Sequence, residues 1–577
     1  MIQKKAIDEI RFLYGQDKTP AITARIEELL KRYTNLKKLN APQFLSEQDV
    51  MLITYADTLQ EPDISGLQSL RTFCRARLQD VFSIVHLLPF FPYSSDDGFS
   101  VIDYRRVNRP NGDWADVAKL AENFDLCFDL VINHVSASSE YFQKFLAGDE
   151  TYRDFFIVLD PETDISSVLR PRTSPLLHKF DAVDGPVWCW TTFSADQIDL
   201  NFANPDVLLE FLDILLFYVS RGARIIRLDA IAYLWKTLGA SCAHLGETHA
   251  VVQLMRDLLD IIAPHVILLT ETNVPHEDNI SYFGDGANEA QMVYNFPLPP
   301  LVLHTLTAQN ASYLTRWAAT LEPPSDRTTY LNFTASHDGI GVRPAADILS
   351  ESEFNHLVAL AEKHGGRVSS KNDQQGIPIP YELNINYFDA LNNPSEPADP
   401  EIEVRRFLLS QSIALVLRGM PAIYIHSLLG SRGWPAGVQQ TGHARTINRE
   451  KLKLTDVEIQ LQDESSLRSR VFQLYCRLIR LRRSQKAFHP NAAQKILNLG
   501  DAFFAVLRTS TDNQQTILAL HNVTGQNQTV RIDASLLPKT SSNNWLDLIT
   551  DEPYAIANNE LILNLQPYQF TWLKNGS

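Results

Sequence analysis

Between residues 50 and 430, short apolar, β-branched runs alternate with longer stretches whose apolar positions recur at helical spacing. The runs are VMLITYA (50–56), FSIVHLLPF (82–90), FDLVINHV (128–135), ARIIRLDAI (223–231), HVILLTET (265–272), QMVYNF (291–296), TYLNFTASHD (329–338) and MPAIYIHSLL (420–429). Amphipathic or apolar helical stretches such as DVLLEFLDILLFYVSRG (206–222) and THAVVQLMRDLLDIIAP (248–264) lie between them. Parallel strands covered on both faces read as near-continuous apolar runs, so the alternation predicts an α/β protein. Eight such runs predict a (β/α)8 TIM barrel over 49–486.

The flanks carry different patterns. Residues 1–48 show charge and helical periodicity without evident chemistry and predict an N-terminal helical extension. Two connections are too long for simple loops: about 136–200, rich in Pro and aromatics, predicts an inserted subdomain, and about 340–400 a long loop region. From 487 to 577 short alternating strands separated by Asn, Gly and Asp predict a C-terminal antiparallel β domain.

Composition narrows the partners. Hydrophobic residues make up 45% and charged residues 21%, an ordinary globular balance, but the net charge of -16 repels nucleic-acid phosphates and anionic membrane faces. Neither partner is expected. The first residues mix charge into an amphipathic pattern unlike a secretion signal, and no run reaches membrane-spanning length. The five cysteines are widely spaced without CxxC pairs, which argues against a disulfide framework or a zinc site and places the chain in a reducing cytoplasm.

Charges planted in apolar runs raise the functional question. Arg227 and Asp229 lie two apart, so on a strand they share a face. Other predicted strands finish on Asn133 and His134, on Glu271, and on His337 and Asp338. Each has a bland reading: an aspartate at a strand end forms turns or caps helices, Arg227 and Asp229 make a structural ion pair, and His134 is a satisfied core histidine. Recurrence on four strands favours the other reading, because the carboxyl ends of barrel strands line the active site.

Such a set suits glycosyl transfer. One carboxylate attacks an anomeric carbon and a second carboxyl protonates the leaving oxygen, the two standing about 5 to 5.5 Å apart in retaining enzymes. Arg227 would keep Asp229 ionised, whereas Glu271 would need a raised pKa. No GxGxxG, GKS/T or HExxH motif competes, so neither cofactor nor metal is expected.

The blocks DLVINHVS, RIIRLDA, LLTETN and FTASHDG, in this order and separation, resemble the α-amylase clan, glycoside hydrolase family 13. LITYADTL, HLLPFFPYSSDDGFSVIDY, ALNNP, GMPAIYI and ARTINRE resemble its sucrose phosphorylase branch. Within that branch, GSRGWPAGVQQTGHARTINREK and the length are most similar to members that cleave 2-O-α-glucosylglycerate with phosphate. The resemblance implies a phosphorylase whose partners are a small α-glucoside and inorganic phosphate, giving α-glucose 1-phosphate and glycerate. Sucrose or another α-glucoside as substrate, hydrolysis on the same scaffold, and a binding protein without turnover are the rival readings.

Position by position, the resemblance implies Asp229 as nucleophile, Glu271 as general acid/base and Asp338 as transition-state stabiliser. It places Asp96, His134, Arg227, His337 and Arg445 in the glucose subsite, walled by Phe193 and Gln197, and gives Arg172, Tyr233 and Tyr381 to phosphate or acceptor. Two positions depart from the sucrose enzymes: Glu382 follows Tyr381 where they have Gln, and Asn273 stands where a histidine is common. Glu382 is expected to repel a glycerate carboxylate, leaving Arg172, Arg343 or Arg432 to attract it.

Overall fold

In the computed structural model of the protein, which describes residues 2–38, 44–372, 377–396, 398–538 and 544–575, the eight apolar runs close on themselves. They are β1 (Met51–Thr54), β2 (Ile84–Leu87), β3 (Asp125–Val131), β4 (Ala223–Asp229), β5 (Ile267–Thr270), β6 (Met292–Tyr294), β7 (Thr329–Asn332) and β8 (Met420–Tyr424). Each pairs in parallel with its chain neighbours, and β1 with β8 completes the TIM barrel. Every residue of β1, β2, β5 and β7 is buried, which is why these strands show no polar alternation.

Helices cover the outside, and their starts are legible in the chain. Asn204 caps the helix Pro205–Ser220 by accepting from the Asp206 amide, with proline in the first turn. Asp399 caps Pro400–Val416 in the same way, and Ser466 caps Leu467–Arg483. At the N-terminus the helices Lys4–Tyr14 and Thr19–Arg32 fasten to the barrel through Tyr14, whose hydroxyl donates to the Phe202 carbonyl at 2.8 Å, and Tyr33, which donates to Asp213 at 2.8 Å.

Two strand runs stop earlier than their apolar pattern. β7 ends at Asn332, whose amide donates to the carbonyls of Leu417 and Arg418 at 3.2 and 3.1 Å; beyond it, Phe333 to Asp338 leave the ladder to line a pocket. After β3, His134–Ser136 pairs antiparallel with Gln197–Asp199 instead of extending the barrel. Phe333 and Ala335 face the pocket, and hydropathy alone does not distinguish that from a strand interior.

Between these two short strands lie the helix Glu140–Leu146 and the hairpin Leu177–Ala182 with Gly185–Trp190. Lys236 ties this segment down: its ammonium meets the buried Asp199 at 2.7 Å and the buried Asn133 at 2.8 Å. After β7, the strands Ile340–Gly341, Arg367–Asn372 and Pro378–Asn384 form a small antiparallel sheet. Residues 373–376 of the expected long loop, and 39–43 of the expected N-terminal extension, lie outside the described residues.

The C-terminal strands are β9 (Ala493–Leu497), β10 (Phe503–Thr509), β11 (Thr516–Asn522), β12 (Gln528–Asp533), β13 (Asn544–Asp547), β14 (Pro553–Ala555), β15 (Glu560–Leu565) and β16 (Phe570–Asn575). A six-stranded antiparallel sheet in the order β9-β10-β11-β16-β13-β14 packs one face on the pair β12-β15 around Leu518, Leu520, Ile532 and Leu563. Its other face joins the main core, where the Trp572 indole donates to Ser412 at 3.0 Å.

Candidate active site

Parallel register sets the carboxyl ends of the strands at one height. Asp229 is abreast of Val131, and Thr270 is abreast of Leu228, so Glu271 emerges beside Asp229 on the adjacent strand. Ala230, next after Asp229, adopts a left-handed conformation (φ 50°) that turns its amide toward Glu271, to which it donates at 3.1 Å. The backbone that carries one carboxylate therefore orients the other.

Beneath them runs a buried charge stack. Arg227 donates through Nη1 to Asp229 at 2.8 Å and to Asp129 of β3, its cross-strand partner. His86 of β2 holds the second oxygen of Asp129 at 2.7 Å. Arg227 also approaches Glu271 at 3.8 Å. One guanidinium thus serves three carboxylates in a water-poor site, where removing the guanidinium would leave buried carboxylates uncompensated.

The two strand-end carboxyls respond to burial. Burial pushes Asp229 up to about 7 against the pull of Arg227, and pushes Glu271 up to about 7, reinforced by the charges of Asp229 and Asp338. They behave as a pair. The direct 2.8 Å contact with Arg227 places the negative charge on Asp229, which leaves the shared proton to Glu271.

Asp338 is the opposite case. Burial would raise it, but Arg445 at 2.7 Å and Arg449 at 3.4 Å outweigh burial and hold it below the ordinary carboxylate range. His337 stacks on Phe99 with ring centroids 4.9 Å apart, and burial pulls its pKa well down, so the imidazole is neutral. His134 donates from Nε2 to the Phe99 carbonyl at 2.9 Å, and Gln197 donates to Asp96 at 3.4 Å.

Fourteen of the residues singled out in the sequence line this one pocket: Asp96, His134, Arg172, Phe193, Gln197, Arg227, Asp229, Tyr233, Glu271, His337, Asp338, Tyr381, Glu382 and Arg445; Asn133 does not. Asn273 lines it too, its amide against the α-carbon of Gly341, where an added Cβ would stand 2.7 Å from it. Three charge expectations need correction. Glu382 is not a free repelling charge: Arg445 grips both its oxygens at 3.0 and 2.7 Å and the Gly339 amide donates to it at 2.7 Å. Arg432 does not face the pocket, being spent on Asp389 and Glu403 at 2.8 and 2.7 Å. Arg343 is half-buried in the turn Arg343–Ala345 and is not a lining residue.

Arg172 differs from these. Its guanidinium lies over the rings of Phe193 and Tyr381, at 5.6 and 5.2 Å from their centroids. Among the described residues its one hydrogen bond goes to the Pro171 carbonyl at 3.3 Å. The remaining donors are available to a ligand.

Sequence reasoning missed Asp129, His86 and Arg449. The first two were visible as polar residues inside the runs FDLVINHV and SIVHLLPF, the same signal that drew attention to Arg227. Arg449 comes from an irregular segment and carries no periodic signal. Among the described residues no group of three His, Cys, Asp or Glu side chains is placed to hold a metal ion, and no helix is long and apolar enough to cross a membrane.

Known proteins resemble this chain along most of its length. Residues 80–338 match the model of the α-amylase catalytic domain. The chain is 48% identical to a glucosylglycerate phosphorylase of Spirochaeta thermophila over 92% of its own length and 90% of that protein. It is 45% identical to a glucosylglycerate phosphorylase of Allomeiothermus silvanus, covering 99% and 98%. The crystal structure of sucrose 6F-phosphate phosphorylase from Thermoanaerobacter thermosaccharolyticum superposes with a TM-score of 0.72 at 25% identity, over 90% of this chain and 98% of that one. With its match to the α-amylase catalytic domain and 45–48% identity to these relatives over more than nine-tenths of its length, the chain belongs to the α-amylase family, glycoside hydrolase family 13.

Proposed function

We propose that the protein is a retaining α-glucoside phosphorylase that converts 2-O-α-glucosylglycerate and phosphate to α-glucose 1-phosphate and glycerate. The observation that carries the reaction type is the pair Asp229 and Glu271, side by side on adjacent strands, with Arg227 bonded to the first. The glucosylglycerate phosphorylases that match almost end to end support the substrate.

Double displacement follows from the electrostatics. Asp229 attacks the anomeric carbon and forms a glucosyl ester of inverted configuration while Glu271 gives its proton to the departing glycerate oxygen. Hydrogen phosphate enters the vacated site, its oxygen attacks the ester carbon, its proton passes to Glu271, and Asp229 is released as a carboxylate. The second inversion restores the α configuration. Positive charge develops on the ring in both transition states, and Asp338, held ionised by Arg445, stabilises it. Asp96, His134, His337 and Arg445 bind the sugar, Phe193 and Gln197 wall it, and Tyr233 and Tyr381 border the acceptor side.

Phosphorolysis instead of hydrolysis requires an anion site, and Arg172 suits that role. Packed against two rings, its guanidinium is oriented before phosphate arrives and has donors to spare. Replacing Arg172 with Met is expected to raise KM for phosphate about 10- to 100-fold, from the ~1.5–3 kcal/mol of a hydrogen bond to a charged group. Steady-state kinetics with varied phosphate checks this, and an unchanged KM places phosphate elsewhere.

Incubation with glucosylglycerate, sucrose and glucosylglycerol, each with and without phosphate, tests the function itself. Phosphate-dependent glucose 1-phosphate from the first substrate is the expected result. Free glucose released equally well without phosphate would make the protein a hydrolase.

A further inference from the structure

Arg449 does not line the pocket, and so far it has appeared only as a charge near Asp338, yet it is almost fully buried behind that carboxylate. Its guanidinium makes contacts in three directions. Nη1 donates to Asp97 at 2.7 Å and lies 3.7 Å from Asp96; Nε donates to the His337 carbonyl at 2.8 Å; Nη2 reaches Asp338 at 3.4 Å. Its plane also faces the Tyr55 ring, 6.0 Å from the centroid.

The turn it holds is strained. Asp96 and Asp97 both have left-handed backbone, φ 52° and 48°, and Gly98 follows at φ 112°. Two successive non-glycine residues in that region persist only where surrounding contacts over-determine them. Gly98 packs so closely on Pro89 that an added Cβ would stand 2.6 Å from its carbonyl oxygen, so the turn cannot relax toward the barrel. On the pocket side Gln197 holds Asp96 only at 3.4 Å, whereas Arg449 grips Asp97 directly.

We infer that Arg449 is a positioning residue for glucosyl transfer, holding the Asp96–Asp97 turn and the Asp338 carboxylate in one rigid frame. This rests on the sugar-binding role of Asp96 and the stabilising role of Asp338 proposed above. A planar fork suits the task, because its donor directions are fixed relative to one another and so fix the loops after β2 and β7 relative to each other. Lysine would supply the charge but only a single point of attachment.

The full-length protein is assayed with two donors, glucosylglycerate and α-glucosyl fluoride, each with phosphate. Fluoride departs without protonation, so the second donor reads the sugar side of the site alone. Arg449→Met is expected to lower kcat/KM about 100-fold on both donors, the scale of a misplacement near 1 Å, while KM for phosphate stays close to the parent's. Arg449→Lys is expected to recover less than about a tenth of the lost activity. Asp97→Asn is expected to raise KM for both donors more than it lowers kcat, because it frees the sugar-binding turn and leaves the Arg449 contact to Asp338.

A value of kcat/KM for Arg449→Met within about threefold of the parent on both donors overturns the inference. So does a loss on either donor that Arg449→Lys restores in full, since charge alone would then suffice. If Arg449→Met does not fold, folded Arg449→Lys with parental kcat/KM on the fluoride overturns it equally. A parent that turns over the fluoride but not glucosylglycerate defeats the substrate reading, and the Arg449 comparison is still read on the fluoride.

Discussion

Replacing Asp229 with asparagine should lower phosphate-dependent glucose 1-phosphate formation on the order of 10⁵-fold, the scale seen when a covalent nucleophile is removed. The substitution keeps the shape of the side chain and an oxygen able to accept from Arg227 Nη1, now at 2.8 Å. Arg227 keeps its other partner, Asp129, so the charge stack beneath the site survives. What disappears is the nucleophile, and no neighbour can replace it: Glu271 is committed to the leaving oxygen, and Asp338 is engaged by two arginines.

Stability should not fall with activity. The Asp229–Glu271 pair, pushed up to about 7 in the folded state, lies above the unfolded carboxylate values, so the folded state holds the pair's proton more tightly. Stability linked to this pair is therefore present at low pH and lost as pH rises from the unfolded carboxylate values through about 7. Asp229→Asn removes the penalty, and a melting temperature at pH 8 equal to or above the parent's is expected. Wild-type turnover by Asp229→Asn would refute the assignment; inactivity with a collapsed melting temperature would show only misfolding, and Asp229→Ala, measured alongside, then decides.

Much of this site is legible in the chain itself, for a physical reason. In a barrel of buried parallel strands, every interior position favours apolar side chains, so an ionisable residue there stands out against its background. Arg227, Asp229 and Glu271 are legible on that ground, and the parallel register converts their places in separate runs into adjacency. The meaning of charges on loops is not legible. Glu382 reads as a repulsive carboxylate until Arg445, 63 residues later in the chain, is found gripping it. Arg432 reads as a free cation until Asp389 and Glu403 are found around it. Loop positions carry no periodicity, so which charges they meet depends on the fold's long-range closure. For the same reason Arg449 escapes notice although its contacts touch two of the loops on which the sugar site is built.

Changing Glu271 to glutamine should separate the two half-reactions. With glucosylglycerate, whose leaving oxygen needs a proton, the rate should fall about 10³- to 10⁴-fold, the upper range for loss of a general acid. With α-glucosyl fluoride the first step needs no acid, so ester formation on Asp229 should continue and only steps using Glu271 as base should slow. The parent's pH profile supplies a second reading. Glu271 acts as acid only while protonated, and burial has pushed it up to about 7, so kcat/KM for glucosylglycerate should fall as pH rises past that value. It should fall on the acid side as well, because the pair must keep one carboxylate ionised to attack. The Glu271→Gln variant has no proton to lose there, so the alkaline limb should be absent from its profile on either donor. The amide also keeps an oxygen that can accept from the Ala230 amide, which preserves the left-handed turn beside Asp229. An alkaline limb retained in Glu271→Gln, or equal losses on both donors, would move the acid to another residue and leave the adjacency of Asp229 and Glu271 without its chemical meaning.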